Sequence, residues 1–122
     1  MASLPPPSPS GHQPAGELLD SLLSSLISDF RYWFARGQRL LELCPDRVMA
    51  PEQRQALALE LDQAQRSLQA AVSLRQAVPS PMALELDTLA PWHQLMLKVW
   101  NLSAALRLAG VALPEQEWPV SP

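Results

Sequence analysis

Large apolar residues recur along the first third of the chain at helical spacing. Leu19, Leu23, Leu26, Phe30, Trp33, Phe34, Leu40 and Leu41 follow one another at intervals of three, four and seven, the signature of one helix face and not of a strand. A helix is predicted over 17–43. Gly16 is its N-cap, Glu17 and Asp20 suit the positive end of its dipole, and Pro45 ends it by pushing the preceding residue out of the helical region. A second run of Leu57, Leu61, Ala64, Leu68, Ala71 and Val72 predicts a helix over 51–77, opened by Pro51 and stopped by Pro79 and Pro81. A third helix is predicted over 88–109. Asp87 or Thr88 caps it, Pro91 falls in its first turn, and Gly110 supplies a left-handed residue at its end.

No segment has strand periodicity and no repeat is visible, so the expected fold is all-α, an up-down-up three-helix bundle. Residues 1–16 are expected to be a disordered arm rich in Pro and Ser, residues 17–110 the helical domain, and residues 111–122 an irregular tail. Gly37, inside the first helix, costs about 1 kcal/mol against Ala. Its expected compensation is close packing against an indole of a neighbouring helix.

The third helix carries more apolar surface than such a bundle can use. Leu95, Val99, Leu102, Leu106 and Ala109 form one stripe, and Leu97, Trp100, Ala104 and Leu108 form another on nearly the opposite side. Only Lys98 and Arg107 are charged between Trp92 and Ala109. A helix apolar all round is normally enclosed by protein or lipid, whereas two companion helices cover one side. The second stripe is therefore either capped by the loop and tail or offered to a partner, as another protein or a second copy. The flank of Asp29, Tyr32 and Arg36 on the first helix is a candidate extension of that surface.

Composition narrows the chemistry. The chain has 122 residues with 9 basic and 12 acidic side chains, for a formal charge of -3, which disfavours nucleic acid as a ligand. One Cys excludes an internal disulfide and any multi-Cys metal site. His12 falls in the arm and Cys44 in a loop, so no metal constellation follows from spacing. Phosphate loops, nucleophile elbows and paired-His zinc motifs are absent, and no enzymatic activity is expected. His93 at the start of the third helix has its neutral form favoured by the dipole. It is expected to be structural, and no cofactor is called for. The alternative is a hydrophobic cofactor such as a tetrapyrrole held near Trp33, Trp92 and His93. The arm lacks Lys, Arg and an apolar run, so it does not read as a secretory signal. No stretch is apolar enough to span a bilayer, which leaves a soluble protein, or one peripheral to a membrane at most.

Two segments carry a resemblance. The stretch from Leu22 to Arg36, with its core Asp29-Phe30-Arg31-Tyr32-Trp33-Phe34, followed by Leu40-Leu41-Glu42, resembles the opening of a small cyanobacterial family catalogued as domain of unknown function 2605. The stretch Leu89-Ala90-Pro91-Trp92-His93-Gln94-Leu95 with Trp100 resembles its closing motif, and Gln63-Ala64-Gln65 falls where that family has a similar middle helix. The chain departs from the family at Pro79-Ser80-Pro81-Met82, where a glycine-containing segment is usual. The resemblance covers roughly Leu18 to Leu106 and implies a cyanobacterial, cytoplasmic protein, with attachment at the thylakoid surface as the alternative. It implies no activity.

Overall fold

A computed structural model of the protein describes residues 12–77 and 86–115. They form α1 (His12–Leu43), α2 (Pro51–Ala77) and α3 (Leu86–Leu108), with no strand among the described residues. The helices pack as a bundle in which α1 is the central rod, contacting α2 and α3 extensively while these two barely meet. The expected class and helix count hold, and α2 has the predicted bounds.

Three boundaries differ, one of them by a single residue, since α3 ends at Leu108 and not 109. Residues 12–16, assigned to the arm from sequence, are helical. Pro14 permits this because it occupies the first turn, where a backbone N–H has no acceptor within the helix. The rest of the expected arm lies outside the described residues. α3 begins at Leu86, not 88, so Pro91 lies in its second turn, where it removes the bond that an N–H would give to the carbonyl of Asp87.

The ends of the elements are fixed by specific bonds. Between α1 and α2, Arg54 donates to the Cys44 carbonyl at 2.6 Å and pairs with Asp46 at 2.6 Å, bracing the turn at Pro45. At the end of α3, Gly110 adopts φ 78°, as its position predicts. The Val111 N–H then reaches the Leu106 carbonyl at 2.9 Å and the Gly110 N–H reaches that of Arg107 at 3.0 Å. This is the Schellman arrangement, which satisfies two orphan carbonyls and reverses the chain.

The core is a single cluster of side chains from all three helices, with Phe30, Phe34, Leu40, Leu61, Leu68, Val99 and Leu106 fully buried. Each such burial is worth about 1.5–3 kcal/mol before ordering entropy. Gly37 sits where Leu61 of α2 and Val99 of α3 press against α1. A Cβ there would lie 2.7 Å from Val99 Cγ2 and 2.9 Å from Leu61 Cδ1. The neighbours that need its hydrogen are thus aliphatic side chains and not the indole anticipated from sequence.

Polar clamps link the helices at the rim. Arg75 on α2 pairs with Asp20 on α1 and reaches Ser24. Gln38 donates to the Ala58 carbonyl at 3.0 Å. Lys98 on α3 reaches both carboxylate oxygens of Glu60 on α2 at 3.1 Å. The Asp62–Arg66 pair expected along α2 forms at 3.2 Å on an open surface, where such pairs contribute little.

Candidate interaction surface

The helical register of α3 puts Val99, Leu102 and Leu106 inward and turns the second stripe to the surface. Among the described residues that stripe is uncovered. Leu97 is 50% exposed, Trp100 40% and Leu108 90%, with Ala104 exposed between them. The segment 111–115 does not seal it, because Val111 and Leu113 turn inward and pack on the core. Its one charged neighbour on the α2 side, Lys98, is neutralised by Glu60.

Trp100 is held in place by a train of rings. Tyr32 and Trp33 meet edge to face at 5.1 Å and 86°, and Trp33 meets Trp100 at 5.6 Å and 77°. Both arrangements suit the aromatic quadrupole. Trp33 is buried and Trp100 half-emergent, so the indole on the surface is oriented by one in the core. A second ring group centres on Phe30, which stacks on Phe34 at 5.8 Å and meets Trp92 at 5.7 Å and His93 at 5.0 Å, both edge to face.

Trp33 and Trp92 are therefore core packing, and His93 is exposed above the edge of Phe30. The structure distributes these three candidate cofactor residues over two ring groups. Neither cleft described below is lined by any of them.

The flank of α1 differs from its expected form. Asp29 and Tyr32 are half-buried, and Tyr32 packs against the core. Arg36, expected at the surface, is only 8% exposed, because the chain turns back after Gly110 and lays residues 111–115 over it. Arg36 Nη2 donates to the Pro114 carbonyl at 3.1 Å. Its Nε is buried with no hydrogen-bond partner among the described residues. Tyr32, Ala35, Arg36, Arg39, Pro114 and Glu115 line a cleft of about 370 Å³ beside it. No helical periodicity announces this cleft, since it depends on where an irregular segment runs.

A second cleft, of about 480 Å³, opens between α2 and α3 over Leu57 and Leu102, with Val48 and Met49 at one end and the Lys98–Glu60 pair at the rim. Cys44 is buried against the core, and that desolvation pushes its thiol up, outweighing the opposing effect of Arg54; Asp46 adds to the rise. No group of acidic, His and Cys side chains among the described residues is arranged to hold a metal ion. No described helix is long and apolar enough to cross a membrane.

A family model described as "Protein of unknown function (DUF2605)" matches residues 13–108. The chain belongs to this family. The match spans all three helices and both aromatic motifs, so the DUF2605 domain and the helical bundle coincide, while residues 111–115, which cover Arg36, lie beyond the matched region. No curated protein and no solved structure matches the chain.

Proposed function

We propose that this DUF2605 protein is a non-enzymatic interaction or adaptor module that engages a protein partner through the outward face of α3, formed by Leu97, Trp100, Ala104 and Leu108. The reading sets it in the cytoplasm of a cyanobacterium, the source the sequence resemblance implies. The observation that carries it is the exposure of Leu97, Trp100 and Leu108 along one face of α3, with Arg107 at its edge. Large apolar side chains aligned on a surface mark a site of association. Trp100 is a natural anchor, because its contact with Trp33 limits the side-chain freedom lost on binding. Ala104 beside it lets a partner backbone come close. The absence of enzymatic activity is part of the same reading. The lone thiol, Cys44, is buried and held in its protonated form, the opposite of an activated nucleophile.

The test uses the full chain and its Trp100→Ala variant. Light scattering after size exclusion reports self-association, and affinity capture from a cyanobacterial lysate reports other partners. Trp100 lies at the surface, so the variant keeps its helical circular dichroism while losing affinity by roughly 30-fold, the scale of an aromatic hot spot. A chain that is strictly monomeric, and that captures the same proteins with and without the indole, overturns the proposal.

A further inference from the structure

We propose that the cleft between α1 and the 111–115 segment is a receptor for a carboxylate group, gripped by Arg36 and Arg39. Among the described residues, Arg36 is the one whose buried side chain keeps a polar atom without a partner. It is more than nine-tenths buried, and a buried cation is strongly penalised unless it is paired. None of the ion pairs among the described residues includes it. Among the described residues its one bond is to a neutral carbonyl, that of Pro114, and its Nε–H has no acceptor. A guanidinium presents its donors as a rigid fork, and the group that fits a fork is one with two coplanar acceptors.

The surroundings select the ligand class. Arg39 lines the same cleft, is exposed, and forms no ion pair among the described residues. Glu115 lines it too, so two positive charges and one negative leave a single net positive charge. That balance suits a monoanion, whereas a phosphate dianion meets the Glu115 carboxylate with a second charge unmatched. Ala35 and Pro114 and the face of Tyr32 supply apolar wall, so the carboxylate enters on an aliphatic stem. An Asp or Glu side chain of a partner and a small free carboxylic acid share this chemistry.

Entry to the Nε edge displaces the carbonyl of Pro114. The exchange is favourable in kind, because one neutral acceptor gives way to two charge-assisted bonds. Beyond Val111, the Arg36–Pro114 bond is the one hydrogen bond that ties the described part of this segment to the helices. Binding at Arg36 is therefore coupled to a local shift of the Pro114 carbonyl, while Leu113 stays packed on the core and Glu115 stays at the cleft. This site goes beyond the α3 reading and stands whether or not that face binds a partner.

The test is a titration of the ¹⁵N-labelled full chain, followed through the Arg Nε–Hε resonances and the backbone amides of Leu113 and Glu115. The probes are sodium propionate, a blocked Leu-Glu-Leu peptide, inorganic phosphate, and sodium chloride at matched ionic strength. The expected result is a saturable shift of the Arg36 Hε resonance with both carboxylates, and neither with chloride nor with phosphate. Arg39→Ala, a surface change, weakens it roughly tenfold, and Trp100→Ala leaves it unaltered. A peptide that binds more tightly than propionate identifies a partner side chain as the source, and equal affinity identifies a small acid. An Arg36 resonance that does not move, moves equally with chloride, or titrates identically in Arg39→Ala overturns the proposal. Loss of carboxylate binding in Trp100→Ala overturns its independence from the α3 face.

Discussion

Replacing Gly37 with Ala sets two effects of known sign against each other. In an unobstructed helix the change lowers the free energy of the folded chain by about 1 kcal/mol, since Ala is the better helix former. Here the added methyl lands 2.7 Å from Val99 Cγ2 and 2.9 Å from Leu61 Cδ1. The leucine can shift its terminal methyl, but Val99 branches at Cβ and in a helix strongly prefers one χ1 rotamer, so turning Cγ2 away from the contact is costly. Both neighbours are fully buried, so α3 must move off α1, and overpacking of this kind costs about 1–3 kcal/mol. The net expectation is a loss of about 1 kcal/mol, or roughly 4–8 °C in Tm for a domain of this size. Urea unfolding followed by tryptophan fluorescence measures it. The double-mutant cycle with Val99→Ala isolates the cause. Val99→Ala alone opens a cavity, and the Gly37 methyl partly fills it, so the two changes together cost less than their sum by about 1 kcal/mol or more. A Gly37→Ala chain that is more stable than the parent, with additive behaviour in the cycle, refutes the close approach of α1 and α3 at this residue.

Three further outcomes follow from the same contacts. Leu61→Ala, at a fully buried position, costs about 2–5 kcal/mol in the same assay, whereas Leu59→Ala two residues away, on the exposed side of α2, stays within about 0.5 kcal/mol. Arg75→Ala removes the clamp to Asp20 and Ser24 and costs about 1 kcal/mol, and the loss shrinks in high salt because Asp20 is largely exposed. Burial raises the Cys44 thiol in the folded chain, so the folded state holds its proton at pH values where the unfolded state has released it. Its stabilising share is complete below the unfolded thiol's range near about pH 8.5 and is lost as pH rises through the raised value. Iodoacetamide labelling at pH 8.5 is slower than for an unfolded control, and equal rates contradict the burial.

The helices were legible because their signals are local. Spacing of Leu and aromatic residues, Pro51 at a helix start and Gly110 at a helix end each act within a turn or two, and each is found where those rules place it. The start of α1 was misplaced because proline is tolerated in a first turn, which a rule treating it only as a breaker overlooks. The double stripe on α3 was legible for the same local reason, although whether the chain itself covers Trp100 depends on tertiary structure. Arg36 was illegible. Its position on the helix wheel says flank, and only the path of Val111–Glu115, an irregular segment with no period, converts flank into interior. The Gly37 neighbour was half legible: close packing follows from a mid-helix glycine, but the identity of the intruding side chain depends on the relative shift of α1 and α3.

The two unexplained features of the bundle are of opposite chemical kind and lie on either side of one row of rings. Outward from Trp33 is the apolar stripe at Trp100; beyond Tyr32 lies the cleft at Arg36. Neither is fully used by the isolated chain, since Leu97 and Leu108 are exposed, Trp100 is only partly buried, and an unmatched guanidinium is a burden. A domain with a margin of several kcal/mol tolerates both. They respond in opposite ways to solution conditions, which allows each to be followed separately in one sample. Attraction between a carboxylate and the Arg36/Arg39 pair weakens as chloride rises, because Arg39 and the mouth of the cleft are within reach of counter-ions. Apolar docking on α3 strengthens with sulfate, which is excluded from protein surface. An association that falls with chloride and is insensitive to Trp100→Ala belongs to the cleft. One that rises with sulfate and vanishes with Trp100→Ala belongs to the stripe. A single partner that needs both shows the two responses together, and its affinity then passes through a minimum as sodium sulfate is raised.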